Sequence, residues 1–344
     1  LPSAPHKIVR IFKPADLPHY RTGADSIDIE NDFCATYELN NKPAKFANID
    51  ARKISAADIT DLLGNVATDN LLFAGCAPCQ PFSSQRKGGR TSDSTLLKEY
   101  GRVISEVKPG NIIMENVPGI ARIMGNSTFR RFKRTLDTLG YKTAEGILDA
   151  KDYGVPQTRR RFVLIASKHF QPTLPLPTHG IGPNRVPYVT VHDAISQYPR
   201  IRAGQSHLEI ANHRAASITE LNMERLRHTP RNGGRRTAWP KRLRLACHNG
   251  YDGHTDVYGR MMWNKPAPTL TCKCYSISNG RYGHPTQNRA ISLREAASLQ
   301  TFPDSFLFSG ISQASLGSQI GNAVPVLLAE ALGRHVLTLS GART

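Results

Sequence analysis

Gly75-Cys76-Ala77-Pro78-Cys79-Gln80-Pro81-Phe82-Ser83 follows directly on the apolar run Leu71-Leu72-Phe73-Ala74. The run reads as a buried strand, and the residues after it as a tight loop that presents the Cys79 thiol. Downstream, a second apolar run, Asn111-Ile112-Ile113-Met114, ends in Glu115-Asn116-Val117. A third, over residues 162–166, is opened by Gln157-Thr158-Arg159-Arg160-Arg161. A nucleophile, an acid and a group of arginines, each at a strand edge, describe a reaction centre rather than a core.

Strands are expected over 26–29, 71–74, 112–114 and 162–166, with 8–12 as a further candidate. Helices are expected over 32–40, 56–63, 94–107 and 127–139. Within the third helix Leu96, Leu97, Tyr100, Val103, Ile104 and Val107 recur at helical spacing. Strand–helix alternation argues for an α/β fold built on a doubly wound parallel sheet. Ligands in such sheets bind beyond the carboxyl ends of the strands, where Asp28, Cys79 and Glu115 fall. After about Thr190 the periodicity fades and Gly, Pro, Arg and His become frequent. A helix returns over 292–300, and residues 320–337 read as one apolar helix. The division expected is a first domain of residues 1–188 completed by 317–344, with a smaller, irregular domain over 189–316.

Lys and Arg total 45 against 27 Asp and Glu, a net charge of +18. That excess points to a polyanionic partner, most simply nucleic acid. It is concentrated over residues 225–289, with 13 basic residues against Asp252 and Asp256. No stretch approaches the roughly 20 apolar residues of a membrane span, and the opening residues lack a signal-peptide core. A cytoplasmic, nucleoid-associated protein with no membrane partner is expected. Six cysteines are too sparse for a disulfide scaffold. Cys76 and Cys79 have C-x-x-C spacing, but Cys272-Lys273-Cys274 is wrongly spaced for the second half of a zinc site, so no metal is expected.

Five stretches together resemble the DNA cytosine-C5 methyltransferases, in that family's order and over most of the chain. They are Pro78–Ser83, Glu115-Asn116-Val117, Tyr153 through Arg161, Leu293–Pro303 and Gln319-Ile320-Gly321-Asn322-Ala323-Val324-Pro325. The resemblance implies an S-adenosylmethionine-dependent methyltransferase domain of Rossmann type and a target-recognition domain. It implies a catalytic set of Cys79, Glu115, Arg159 and Arg161. Ring carbon C5 of cytosine is a poor nucleophile, and adding the Cys79 thiolate at C6 makes an enamine whose C5 attacks an electrophilic methyl group. Glu115 would protonate N3, and Arg161, with Arg159 beside it, would stabilise charge at O2. The cofactor residues implied are Asp28, Ile29, Asp50, Ala51, Pro78, Leu96, Asn322 and Ala323. Duplex DNA hides C6 in the stack, so the target base must be flipped. The partners implied are double-stranded DNA and, functionally, a cognate restriction endonuclease, with the chain itself a monomer.

The family's opening Phe-x-Gly-x-Gly is missing: Lys13-Pro14-Ala15-Asp16 follows Phe12, and the next glycine is Gly23. The segment is expected to be a mobile loop that cofactor orders; a degenerate chain that binds cofactor poorly is the other reading. The basic stretch 225–289 is expected to hold phosphates and read bases, with Trp263–Thr271 resembling the family's target-recognition region. Two other functions compete: a catalytically silent DNA-binding protein on the same fold, and a tRNA cytosine-C5 methyltransferase.

Overall fold

A computed structural model describes residues 7–12, 25–28, 30–50, 52–63, 67–76, 95–123, 127–248 and 255–341. By its contacts the chain forms two compact units. The first comprises residues 1–148, 160–176 and 330–344, and the second residues 149–159 and 177–329. The second unit thus takes in residues 149–159, 177–188 and 317–329, which the sequence reading put with the first domain.

Among the described residues the first unit is built on seven strands: β1 (Lys7–Phe12), β2 (Asp25–Asp28), β3 (Phe46–Asn48), β4 (Leu72–Gly75), β5 (Asn111–Asn116), β6 (Lys142–Asp149) and β7 (Arg160–Ser167). Their order across the sheet is β3-β2-β1-β4-β5-β7-β6. Helices α1 (Cys34–Asn40), α2 (Ala56–Leu63), α3 (Thr95–Val107) and α4 (Ser127–Thr138) alternate with them. The apolar side read for the third helix is the side α3 buries: Leu96, Tyr100, Val103 and Ile104 are each at most 2% exposed and pack with Phe73, Met114, Phe132 and Leu164. Gly75 is required by that packing, since a Cβ there would stand 2.5 Å from the Tyr100 ring.

The sheet is mixed rather than parallel. β2 with β3 and β4 with β5 are parallel pairs. β7 runs antiparallel to β5, with Asn116 opposite Phe162 and Asn111 opposite Ser167. β1 runs antiparallel to both β2 and β4. Only twelve residues separate Phe12 from Asp25, at the lower limit of the crossover that parallel pairing needs. Lys7 therefore stands opposite Asp28, and Phe12 opposite Leu72, so β1 ends at the edge where β4 begins. The loop expected after Phe12 falls outside the described residues.

The second unit holds α5 (Val191–Ile195), α6 (Glu220–His228), α7 (Leu293–Leu299) and α8 (Gln313–Asn322), joined by loops, single turns and isolated bridges. One cluster packs Met261, Leu270, Tyr282, Leu293, Ala297 and Ile320, and another packs Leu226, Trp239, Leu243 and Tyr258. The single helix expected over 320–337 is two: α8 closes at Asn322, and α9 (Val326–Leu339) opens after Pro325. Proline lacks the N–H that would continue the first and suits the start of the second.

Candidate active site

β4 and β5 are parallel neighbours, with Gly75 opposite Met114. The chain therefore leaves β4 through Cys76 beside the strand end that carries Glu115. Cys79 and Pro78 themselves lie outside the described residues. β7 arrives from the opposite sense. An antiparallel strand brings its amino end to the edge where its neighbour has its carboxyl end, so Arg161 enters the sheet next to Glu115. The Arg161 Nε donates to Glu115 Oε1 at 2.7 Å, and each side chain is 12% exposed. Arg161 Nη1 also donates to the Arg160 carbonyl at 2.8 Å. Asn116, buried between them in sequence, accepts the Val117 N–H at 2.9 Å and fixes the turn out of β5. The acid and one arginine of the expected set thus meet within the first unit.

Arg159 has different surroundings. It belongs to the second unit and is 3% exposed. Nη1 donates to Leu270 O at 2.8 Å, and Nη2 to Gly321 O and Ala323 O at 3.0 Å each. Gln157 completes this arrangement. Its amide donates to Gln300 Oε1 at 2.9 Å, and its Oε1 accepts the Leu270 N–H at 2.9 Å. Gln300 in turn donates to Ile320 O at 2.7 Å. The two glutamines stood in the quoted motifs but were assigned no role. Their signal was local: a buried amide among motif residues needs partners for both its ends.

Among the expected cofactor residues, Ile29 and Ala51 lie outside the described residues. Asp28 ends β2 and is 5% exposed, and its Oδ1 accepts the Glu30 N–H at 3.0 Å. Asp50 follows β3, with its carboxylate held by Arg52. Leu96 is core, at 2% exposed. Asn322 and Ala323 belong to the second unit, where Asn322 Oδ1 accepts the Cys272 thiol at 3.0 Å. Neighbouring Cys274 is fully buried, which pushes its thiol up to about 12 and leaves it protonated. Two carboxylates at the carboxyl ends of parallel neighbours suit the ribose hydroxyls and adenine amine of S-adenosylmethionine. β1 runs antiparallel to β2, and the residues that follow Phe12 lie outside the described ones.

The family model for C-5 cytosine-specific DNA methylases matches residues 22–338. The type II methylase M.HgiDII of Herpetosiphon aurantiacus is 38% identical over 306 residues, 87% of this chain and 84% of that one. The type II methyltransferase M1.HphI of Haemophilus parahaemolyticus is 33% identical over 320 residues, 92% of this chain and 80% of its own. Among solved structures, a DNA modification methyltransferase encoded within an E. coli prophage superposes with a TM-score of 0.71 at 22% identity, covering 92% of each chain.

Proposed function

We propose that this chain, which belongs to the C-5 cytosine-specific DNA methylases, methylates C5 of a flipped cytosine within a specific duplex sequence, through a covalent adduct of Cys79 at C6. The observation that carries the reading is the Glu115–Arg161 pair, 2.7 Å apart beside the strand that leads to Cys79. Addition of the thiolate at C6 moves negative charge onto N3 and O2 of the ring. Glu115 would deliver a proton to N3 as charge develops there, and Arg161 would supply positive charge at O2. Their mutual contact orients both groups before a base arrives. Arg159 is assigned a positioning role, supported by its three carbonyl acceptors.

S-adenosylmethionine, when bound, supplies the electrophilic methyl group. Asp28 would take its ribose hydroxyls and Asp50 its adenine amine once the Arg52 contact opens. That unit would also read the target sequence. The type II names of the relatives favour a place in a restriction–modification pair. Transfer of labelled methyl groups to duplex DNA, with Glu115→Gln slower by roughly tenfold to ten-thousandfold in single turnover, is the expected result. Label on tRNA alone would support the second substrate, and near-normal turnover by Glu115→Gln would remove the acid role.

A further inference from the structure

The reaction above leaves unused a charged loop of the second unit, residues 230–236, between α6 and the single turn Arg236–Ala238. Its backbone is held from inside. The Asn232 N–H donates to Pro285 O at 2.8 Å, and Asn232 Oδ1 accepts from the Trp263 N–H at 2.7 Å. Gly233 O accepts from Arg281 Nη1, and Gly234 O from the Arg260 N–H, each at 3.0 Å. Asn232 and Gly233 take positive φ, 54° and 103°, a region that asparagine tolerates and glycine favours. A Cβ on Gly234 would stand 2.1 Å from Pro230 O, so no other residue fits there. The arginines that hold the loop are buried, Arg260 at 1% and Arg281 at 9% exposed.

From this fixed frame Arg231 and Arg235 are presented to solvent. Neither has a carboxylate partner among the described residues, whereas Arg227 and Arg242 nearby are paired with Glu220 and Glu224. A backbone pinned at three successive residues is more than phosphate neutralisation needs. Telling one base from another does need it, because two parallel hydrogen bonds tolerate little displacement. A planar guanidinium matches the O6 and N7 acceptors of guanine, the edge that arginine reads in the major groove.

We propose that residues 230–236 are a base-reading loop of the second unit, with Arg231 and Arg235 each contacting a guanine edge of the target duplex. The proposal rests on the reading that the chain acts on duplex DNA. It is tested by selecting bound duplexes from a randomised pool with the full chain, then titrating the preferred duplex and its single-base variants. Arg231→Ala and Arg235→Ala change exposed side chains and leave the frame intact. Each is expected to lose roughly 5- to 150-fold on the preferred duplex and to stop discriminating guanine at one position. Lysine at either position, a point charge without the planar fork, is expected to keep affinity for unrelated duplexes and to recover only part of that discrimination. Variants that weaken all duplexes equally, or keep the wild-type preference, overturn the loop assignment alone. A wild-type chain that retains no duplex overturns both the assignment and the DNA reading beneath it.

Discussion

Arg159, Arg160 and Arg161 are consecutive in sequence yet have three different surroundings. Arg159 is sealed among carbonyls, Arg160 is exposed, and Arg161 is joined to Glu115. Different losses are expected from the outer two. On the proposed role of Arg161 at O2, Arg161→Ala is expected to lower the single-turnover rate by about 10²–10³ with little change in unfolding midpoint. Arg159→Ala takes this donor from the Leu270 and Gly321 carbonyls and leaves Ala323 O to Gln300 alone, so a stability loss of about 2–5 kcal/mol is expected in urea denaturation. If Arg159→Ala were fully stable and catalytically dead, Arg159 would belong with the reacting groups instead. From the residues alone the triplet read as one cationic patch. Which arginine turns inward depends on carbonyls about 110 to 165 positions away in the chain, and no local pattern carries that.

At the scale of elements, α7 shows how a quoted motif can be structural. Ser292 caps it, and Glu295 returns a bond to the Ser292 N–H in a capping box. Glu295 is fully buried and takes both Nη1 and Nη2 of Arg289 at 2.7 Å. Burial opposes its ionisation, yet Arg289 holds the carboxyl below its ordinary range. His284 Nε2 faces the same carboxylate at 3.7 Å. Burial lowers that imidazole from 6.5 to about 4, helped by Arg289 and Arg260 and opposed by Glu295. The unfolded chain then takes up the proton first as pH falls. This contribution to stability is complete above about 6.5 and is lost between 6.5 and 4, by roughly 3 kcal/mol at most. Urea midpoints measured across that range should fall with acidity, and His284→Gln should flatten the slope. An unchanged slope in the variant would place the titration elsewhere.

Element positions were largely legible. α2 falls on the residues its periodicity marked, and α3 buries the six apolar positions read for it. β3 and β6 were not anticipated. β6 is a partly exposed strand, Lys-Thr-Ala-Glu-Gly-Ile-Leu-Asp, without a continuous apolar run. The sense of β1 was equally hidden, because strand direction is a property of pairing and not of composition.

For the whole molecule, a charge of +18 overstates what is offered to a phosphate backbone. Within 225–289, Arg225, Arg260, Arg281 and Arg289 are buried and bind carbonyls or carboxylates of their own unit. The salt dependence of DNA binding should therefore respond to exposed residues only. Removing a phosphate-contacting Lys or Arg flattens the log–log slope by about 0.9. Arg225→Met, by contrast, is expected to lower stability and leave the slope unchanged in the folded protein. A flatter slope for that variant would show Arg225 reaching the duplex after all.

The central claim is that Cys79 forms a covalent bond to C6 of a cytosine in duplex DNA. Duplexes carrying 5-fluorocytosine block the last step of the reaction and retain the protein. The measurement is mass spectrometry of the trapped complex, formed with S-adenosylmethionine and digested to peptides. The expected result is one DNA-linked peptide modified at Cys79, present with Cys76→Ala and absent with Cys79→Ser while duplex binding survives. Equal trapping by Cys79→Ser, or an adduct on another residue, would contradict the account.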